Sequence, residues 1–258
     1  MKIVTWNINS VRARLDRLLG WLESTSPDVV CLQETKATDK DFPALEIRGA
    51  GYGVAYRGQK SYNGVAILAR DAEPEDVESV LPGDDEDQDA RMLAATVNDV
   101  RVVTVYVPNG REVGHDHYKY KLRWLERLHD YVAEHSPAEP LVVCGDYNVA
   151  PDEQDVYDPK RWEGKCLFSD PERAAFRRLL DWGLTDALRV VRPRETVFTW
   201  WDYRRAMFPR DMGLRIDHLL VTRPLADRIL SVTVDRKMRE GEKPSDHAPV
   251  VLELEMDA

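Results

Sequence analysis

Cysteine is scarce in this chain, and so is any long apolar run. Three cysteines occur in 258 residues, an odd number, and none stands at a spacing that holds a metal. Cys31 and Cys144 lie inside apolar strand patterns and Cys166 stands alone. That usage points to a reduced, cytosolic protein without disulfides. No apolar stretch approaches the roughly 18 residues a membrane span needs, so no membrane partner is expected. The N-terminal MKIVTWN goes directly into a strand-like run, with no signal peptide expected ahead of it. Short repeats and linkers are missing too.

Positive charge is also short. The formal net charge is −10, which at first argues against a nucleic-acid partner. The deficit is local. Residues 71–99 hold eleven acids against one base, Arg91, so the rest of the chain sums to zero. Residues 192–215 hold six arginines against three acids. An acidic flank and a basic, phosphate-facing loop can share one surface. With 43% hydrophobic and 32% charged residues, the length suits one large domain or two small ones.

The chain is organised around Leu141–Pro151, LVVCGDYNVAP. Leu141 to Cys144 read as a buried strand, and Gly145 is expected to let the backbone turn. Asp146 and Asn148 follow at i and i+2, on one side of an extended chain. A carboxylate and an amide oxygen at a strand mouth suit a hard cation or a phosphate. The plainer reading is an Asx turn after a core strand.

Other segments have the same form. Lys2–Trp6 reads as a strand ending at Asn7, Ile8 and Asn9, with Ser10 placed to cap a helix. Leu15, Leu18, Leu19 and Leu22 recur at helical spacing. Asp28–Leu32 is the next strand and runs into Gln33, Glu34, Thr35 and Lys36. If the two strands run alike, Asn7 and Glu34 emerge at one edge of the sheet. Tyr52–Arg70 is a hairpin around Gly58–Gly64. Pro82–Asp89, PGDDEDQD, lacks the calcium-loop pattern and reads as solvent-facing. Met92–Val97 and Arg101–Val107 are strands joined by Asn98-Asp99, and the second delivers Tyr106, Asn109 and Arg111. His115–His135 is an amphipathic helix whose His129 and His135 face solvent. Asp152–Asp170 is an irregular polar loop, and Glu172–Trp182 is a helix. Phe198–Tyr203 reads as a strand with one tryptophan in the core and one available. Gly213–Thr222 is a strand that places Asp217 among apolar neighbours, which is costly unless the acid is paired. Val250–Leu254 closes the sheet after the Asp246-His247 pair.

The polar strand ends therefore carry Asn7, Glu34, Tyr106, Asp146 with Asn148, Asp217, and Asp246 with His247. Oxygen ligands of this kind favour Mg2+ or Mn2+, ions that commonly serve phosphoryl substrates. An Asp–His pair orients the imidazole and raises its basicity. Water attack on a phosphodiester needs a base, a charge sink and leaving-group assistance, and this inventory supplies all three.

TWNINSVRAR, DVVCLQETK, GVAIL, YVPNG, GDYNVAP, TWWDYR, GLRIDHLL and KPSDHAPV, in this order, resemble the exonuclease III family of abasic-site endonucleases. The resemblance runs from Met1 to about Leu254, as one domain over residues 1–258. GDYN and SDH alone would mark only the larger endonuclease/exonuclease/phosphatase superfamily. The resemblance implies a four-layer α/β sandwich, with two mainly antiparallel sheets face to face and helices outside. This replaces the parallel sheet that the opening strand–helix–strand would favour. It implies Mg2+-dependent cleavage 5′ to abasic sites in double-stranded DNA, with Mn2+ able to substitute. It also implies 3′→5′ exonuclease and 3′-phosphatase or phosphodiesterase activity at blocked 3′ ends. A cytoplasmic monomer is implied, nucleoid-associated in a bacterium.

Residue by residue, the resemblance makes Glu34 the principal metal ligand, with Asn7, Asp146, Asn148, Asp246 and His247 as the other candidates. Asp146 would activate water or protonate the leaving group. Asn148 and Tyr106 would hold the phosphate, and His247, oriented by Asp217, would polarise it. Trp200, Leu214 and Ile216 would line a pocket for a sugar without a base. Asn109, Arg111, Arg204 and Arg205 would contact substrate and its backbone. Two positions depart from the pattern. Asn9 stands where some relatives have Asp, which weakens a second metal position. His218 follows Asp217 where an apolar residue is common; it either perturbs the Asp217–His247 pair or points to the other face, and strand alternation favours the second.

A phosphatase acting on inositol phosphates or phospholipids is the rival within the fold, and LQETK with the 200–215 segment speaks against it. A non-catalytic DNA-binding module is the rival outside it. Buried acids without function would be costly, which speaks against that reading too.

Overall fold

The computed structural model describes residues 1–83 and 87–256. Among the described residues, twelve strands form two six-stranded sheets. The strands are β1 (Lys2–Asn7), β2 (Val29–Gln33), β3 (Tyr52–Arg57), β4 (Val65–Arg70), β5 (Glu75–Glu78) and β6 (Met92–Val97). They continue with β7 (Val100–Tyr106), β8 (Leu141–Asp146), β9 (Thr185–Asp186), β10 (Asp217–Val221), β11 (Ile229–Val234) and β12 (Val250–Leu254). The first sheet has the order β11-β12-β1-β2-β4-β3 and the second β5-β6-β7-β8-β10-β9. Each contains one parallel pair, β1 with β2 and β7 with β8, and is otherwise antiparallel. The expected sandwich is therefore present, with mixed sheets.

Apolar alternation explains the layers. Ile3, Val29, Cys31, Leu93, Val102, Val142, Cys144 and Leu219 point into the space between the sheets. Val4, Trp6, Val30 and Leu68 point outward, under helices α1 (Leu15–Thr25) and α2 (Ala44–Gly49). Val103, Val105, Leu141 and Val143 meet α3 (Asp116–Ala133) across the second sheet, whose cover also includes Phe176 and Leu179. The intervening α4 is one turn, Pro159–Trp162, and α5 (Asp170–Trp182) carries those last two residues. α5 starts with a capping box between Ser169 and Glu172. Asn98 and Asp99 both adopt left-handed backbone, as a tight two-residue hairpin requires.

Several expectations change. Gly145 does not turn the chain: β8 runs through it to Asp146. Glycine is needed because an added Cβ would lie 1.9 Å from the Val105 carbonyl oxygen on β7. Phe198–Tyr203 is not a strand, although Trp200 forms single bridges to Leu214 and His247. Trp201 is fully buried and Trp200 half-buried, so the division of labour between the tryptophans holds. In the 213–222 segment only Asp217–Val221 is strand. Val250–Leu254 is a strand as expected, and lies between β11 and β1. His129 and His135 are half-buried, the latter edge-on to Tyr131 at 5.1 Å. Of the acidic loop, residues 84–86 lie outside the described residues. Its far end is bonded rather than free: Asp87 accepts from Tyr120 Oη (2.9 Å) and Arg127 Nη1 (2.7 Å), and Asp89 pairs with Arg91 (2.9 Å).

His218 faces away from the Asp217–His247 pair, as alternation requires. Its Nε2 donates to the Val149 carbonyl (2.8 Å) and its Nδ1 accepts from Arg215 (3.0 Å). Arg215 is itself buried between Asp155 and Asp186. Burial, then the arginine's charge, pushes the His218 imidazole down to about 4. The neutral ring is the form the fold accepts. Above about pH 6.5 it is neutral in both states; below that, the unfolded chain takes up the proton first and stability falls. This loss should reach about 3 kcal/mol near pH 4. In His218→Gln both hydrogen bonds can persist without a titrating ring. Urea unfolding between pH 7 and 4.5 should show a shallower fall for the variant, and parallel curves would refute the assignment.

Candidate active site

The two parallel pairs deliver their carboxyl ends to one rim. Asn7 lies opposite Gln33 in the first sheet, and Tyr106 opposite Asp146 in the second. Asp217 begins the antiparallel β10 directly opposite Asp146. Glu34 follows β2 with φ 51°, and Asn148 follows β8 with φ 50°. Left-handed backbone is unusual for a glutamate. It is held by the hairpin: Thr35 and Lys36 donate to the carbonyls of Gly64 (3.1 Å) and Asn63 (3.0 Å). Gly64 must be glycine, since a Cβ there would meet Thr35 Oγ1 at 2.1 Å.

The rim opens into a cavity of about 360 Å³. Glu34, Tyr106, Asn109, Arg111, Asp146, Asn148, Trp200, Arg204, Ile216, Asp246 and His247, all expected, line it. A larger cavity of about 860 Å³, which includes Tyr157, Lys160 and Arg173, shares no lining residue with it and gathers none of these groups. Chemistry rather than size marks the site.

His247 is buried and charged. Its Nδ1 contacts Asp217 at 2.9 and 3.0 Å, and its Nε2 lies 3.7 Å from Asp146 Oδ2. Burial alone would favour the neutral ring, but Asp217 and then Asp146 outweigh it and raise the imidazole to about 10. Thr199 Oγ1 donates to Asp217 (2.6 Å), fixing the carboxylate behind the ring. Asp146 is pushed up to about 7, first by burial and then, against the pull of His247, by the negative charges of Asp217 and Glu34. A carboxyl near neutrality can give or take a proton. Burial, then Glu34 and Asp146, keep the Tyr106 phenol protonated as a donor.

The donor set fits a hard cation. Ligand atoms of Glu34, Asp146 and His247 lie within 4.8 Å of one another. Asn7 Nδ2 bridges the two carboxylates, at 2.8 Å from Glu34 Oε1 and 2.9 Å from Asp146 Oδ2. Two carboxylates and a nearby amide suit an oxygen-loving ion. His247 has its Nδ1 taken up by Asp217, which leaves Nε2 as the ring atom facing this group. Asp246 is also turned to other partners. Its Oδ1 accepts from Asn9 (2.8 Å) and its Oδ2 from the Trp200 indole (3.0 Å). Asn148 Oδ1 accepts from Asn109 (3.0 Å), and its Nδ2 donates to the Val107 carbonyl (2.9 Å). Its backbone N–H bonds Asp146 Oδ1 (2.9 Å), so the Asx turn and the site are the same structure.

Leu214 is placed differently from expectation. It is fully buried beneath Trp200 and does not reach the cavity. Arg204 lies at the rim beside Asp202 (2.8 Å), while Arg205 is exposed outside the lining. The sequence reading missed Trp162, Cys166 and Leu167, which line the cavity from the irregular 152–170 segment. No periodicity marks them. Lys36, whose Nζ meets Glu34 Oε2 (2.8 Å) and Asn9 Oδ1 (2.6 Å), stood within the LQETK motif. Thr199 likewise stood within TWWDYR.

The model of the endonuclease/exonuclease/phosphatase family matches residues 4–247. Exodeoxyribonuclease III of Haemophilus influenzae is 38% identical, over 98% of this chain and 100% of that protein. A 3′ phosphatase from Neisseria, solved with a product DNA hairpin, is 44% identical with a TM-score of 0.97, covering 99% of this chain and all of that one. An AP endonuclease from Archaeoglobus fulgidus is 39% identical with a TM-score of 0.96 over the same shares.

Removing the charge behind His247 tests the electrostatic reading. In Asp217→Asn, the imidazole should lose its largest charge partner. Its NMR titration midpoint should drop by at least about one unit. An unchanged midpoint would show that Asp217 does not set it.

Proposed function

The chain belongs to the endonuclease/exonuclease/phosphatase family, and from that footing we propose that it is a DNA-repair nuclease cutting 5′ to abasic sites in duplex DNA. We extend the reading to 3′→5′ exonuclease and 3′-phosphatase or phosphodiesterase work at blocked 3′ ends, with Mg2+ as the cation and Mn2+ able to replace it. The observation that carries it is the single cavity in which Glu34, Asp146 and the Asp217–His247 pair stand beside Trp200 and Ile216. The exodeoxyribonuclease, phosphatase and AP-endonuclease relatives support DNA as the substrate. They do not favour an inositol-phosphate or phospholipid phosphatase.

Glu34 and Asp146, with Asn7 adjacent, would hold the cation. A divalent ion there supplies positive charge against the phosphate oxygens and the leaving oxygen. The protein's own groups do the rest. The His247 imidazolium, Tyr106 phenol and Asn148 amide offer donors to the non-bridging oxygens, where negative charge accumulates. Asp146, beside His247, moves the proton, taking it from water or giving it to the leaving group. Trp200, Ile216, Leu167 and Trp162 present an apolar wall to a sugar stripped of its base. Asn109, Arg111 and Arg204 at the rim suit backbone phosphates. We read the chain as one domain, because β11 and β12 complete the sheet begun by β1–β4. We read it as acting as a monomer. Cys31, Cys144 and Cys166 are free and buried, which suits a reducing compartment such as the cytoplasm, beside the nucleoid in a bacterium. Among the described residues no helix is long and apolar enough to cross a membrane.

A duplex with one abasic-site analogue should be cut immediately 5′ to the lesion with Mg2+ and left intact with EDTA. Asp146→Asn should lower the rate by about 100-fold or more. Hydrolysis of inositol phosphates without any cut in the duplex would overturn the DNA reading. Trp200→Ala should reduce abasic-site cleavage more than removal of a plain 3′-phosphate. Equal losses on both substrates would count against the apolar wall.

A further inference from the structure

Beneath the cleft lies an ion pair that bonds to neither Glu34, Asp146 nor His247. Lys121 of α3 and Glu172 of α5 are both fully buried. Lys121 Nζ donates to the Asn148 carbonyl (2.6 Å), to the Asn109 carbonyl (3.2 Å) and to Glu172 Oε1. An ammonium has three N–H donors, and all three are engaged. Glu172 Oε1 also accepts the backbone N–H of Leu167 (3.0 Å), and Oε2 accepts that of Ser169 (3.1 Å). Cys166 Sγ donates to the same Asn109 carbonyl (3.0 Å). The backbone of Gly110 passes so close that a Cβ there would meet Cys166 Sγ at 2.9 Å and Lys121 Cδ at 3.1 Å.

One buried pair thus ties three cavity-lining loops, at Asn109, Asn148 and Leu167. Leu167 is held with φ 77°, a backbone region unfavourable to leucine. Stability does not by itself explain such a pair, since replacing a buried ion pair with apolar groups of similar volume is often neutral. Its geometry does explain the order of the loops. We infer that Lys121 and Glu172 are positioning residues for phosphodiester cleavage, clamping Asn148 and Asn109 where they meet the scissile phosphate. The inference rests on the function proposed above. Displacing such groups by about 1 Å can lower turnover by about two orders of magnitude.

The test is Lys121→Met combined with Glu172→Gln, which removes both charges and leaves neither partner ionised and alone. Single-turnover cleavage of the abasic duplex, with enzyme in excess, reads rate constant and amplitude separately. The clamp requires a rate constant lowered about 10- to 100-fold at full amplitude, with the urea midpoint near wild type. A normal rate constant, with or without reduced amplitude, would show a merely structural pair and overturn the inference. Should the double variant fail to fold, Lys121→Ala assayed with and without propylammonium gives the answer. Recovery of the rate constant by the amine supports the clamp, and a rate equal to wild type without it refutes the clamp. Wild-type protein in the same assay separates the two readings. A wild type that leaves the duplex uncut fails the DNA reading, and the clamp is then read on 3′-phosphate release by the same rate-and-amplitude criterion.

Discussion

Everything at this site depends on keeping acids ionisable where water is almost absent. Asp146 and Asp217 are each 1% exposed and His247 3%. Isolated, each charge would be prohibitive there. The fold resolves this by facing them against one another, so that one imidazolium is shared between two carboxylates of the second sheet. The first sheet adds Asn7, whose amide reaches across to Asp146. The gap between the sheets is thus bridged at the rim by polar groups. Deeper in, Gln33 does the same, donating to Thr5 Oγ1 (3.0 Å) on its own sheet and to Thr104 Oγ1 (2.8 Å) on the other.

The similarity of the two sheets makes this possible. Each has a parallel pair near its middle, and each pair ends in a polar residue. Antiparallel neighbours alone would send alternate strand ends to opposite rims. One parallel pair per sheet is enough to gather Asn7, Glu34, Tyr106 and Asp146 on one side. The antiparallel strand β10 then contributes its first residue, Asp217, rather than its last.

Much of this could be read from the chain. The acids and amides stood directly after apolar runs, and their order matched a known set of motifs. The hydrophobic runs became the buried strands nearly as drawn, because alternation and β-branched residues report local environment. What failed was long-range or irregular. Leu214 was assigned to the cavity wall from its motif, yet Trp200 covers it. Gly145 looked like a turn, when a neighbouring strand dictated it. Lys121, on an amphipathic helix, was not singled out in the sequence at all. Its role depends on Glu172, 51 residues away, and on two carbonyl oxygens, which no side-chain pattern records. Asp87 read as solvent-facing because its partners, Tyr120 and Arg127, lie on a distant helix.

The position of β12 has a consequence for how the molecule comes into being. It is the last strand in chain order, yet it lies inside the first sheet, between β11 and β1. Asp246 and His247 come immediately before it, and the Ser245 hydroxyl ties that segment to the Asn7 carbonyl at 2.6 Å. While the chain is being synthesised, β1 must therefore wait with one edge open until Val250–Leu254 has emerged. The imidazole that balances Asp146 and Asp217 arrives in the same moment. An incomplete chain lacks both the sheet's inner strand and the charge at its rim, so the capacity to cut DNA appears only when the fold is finished.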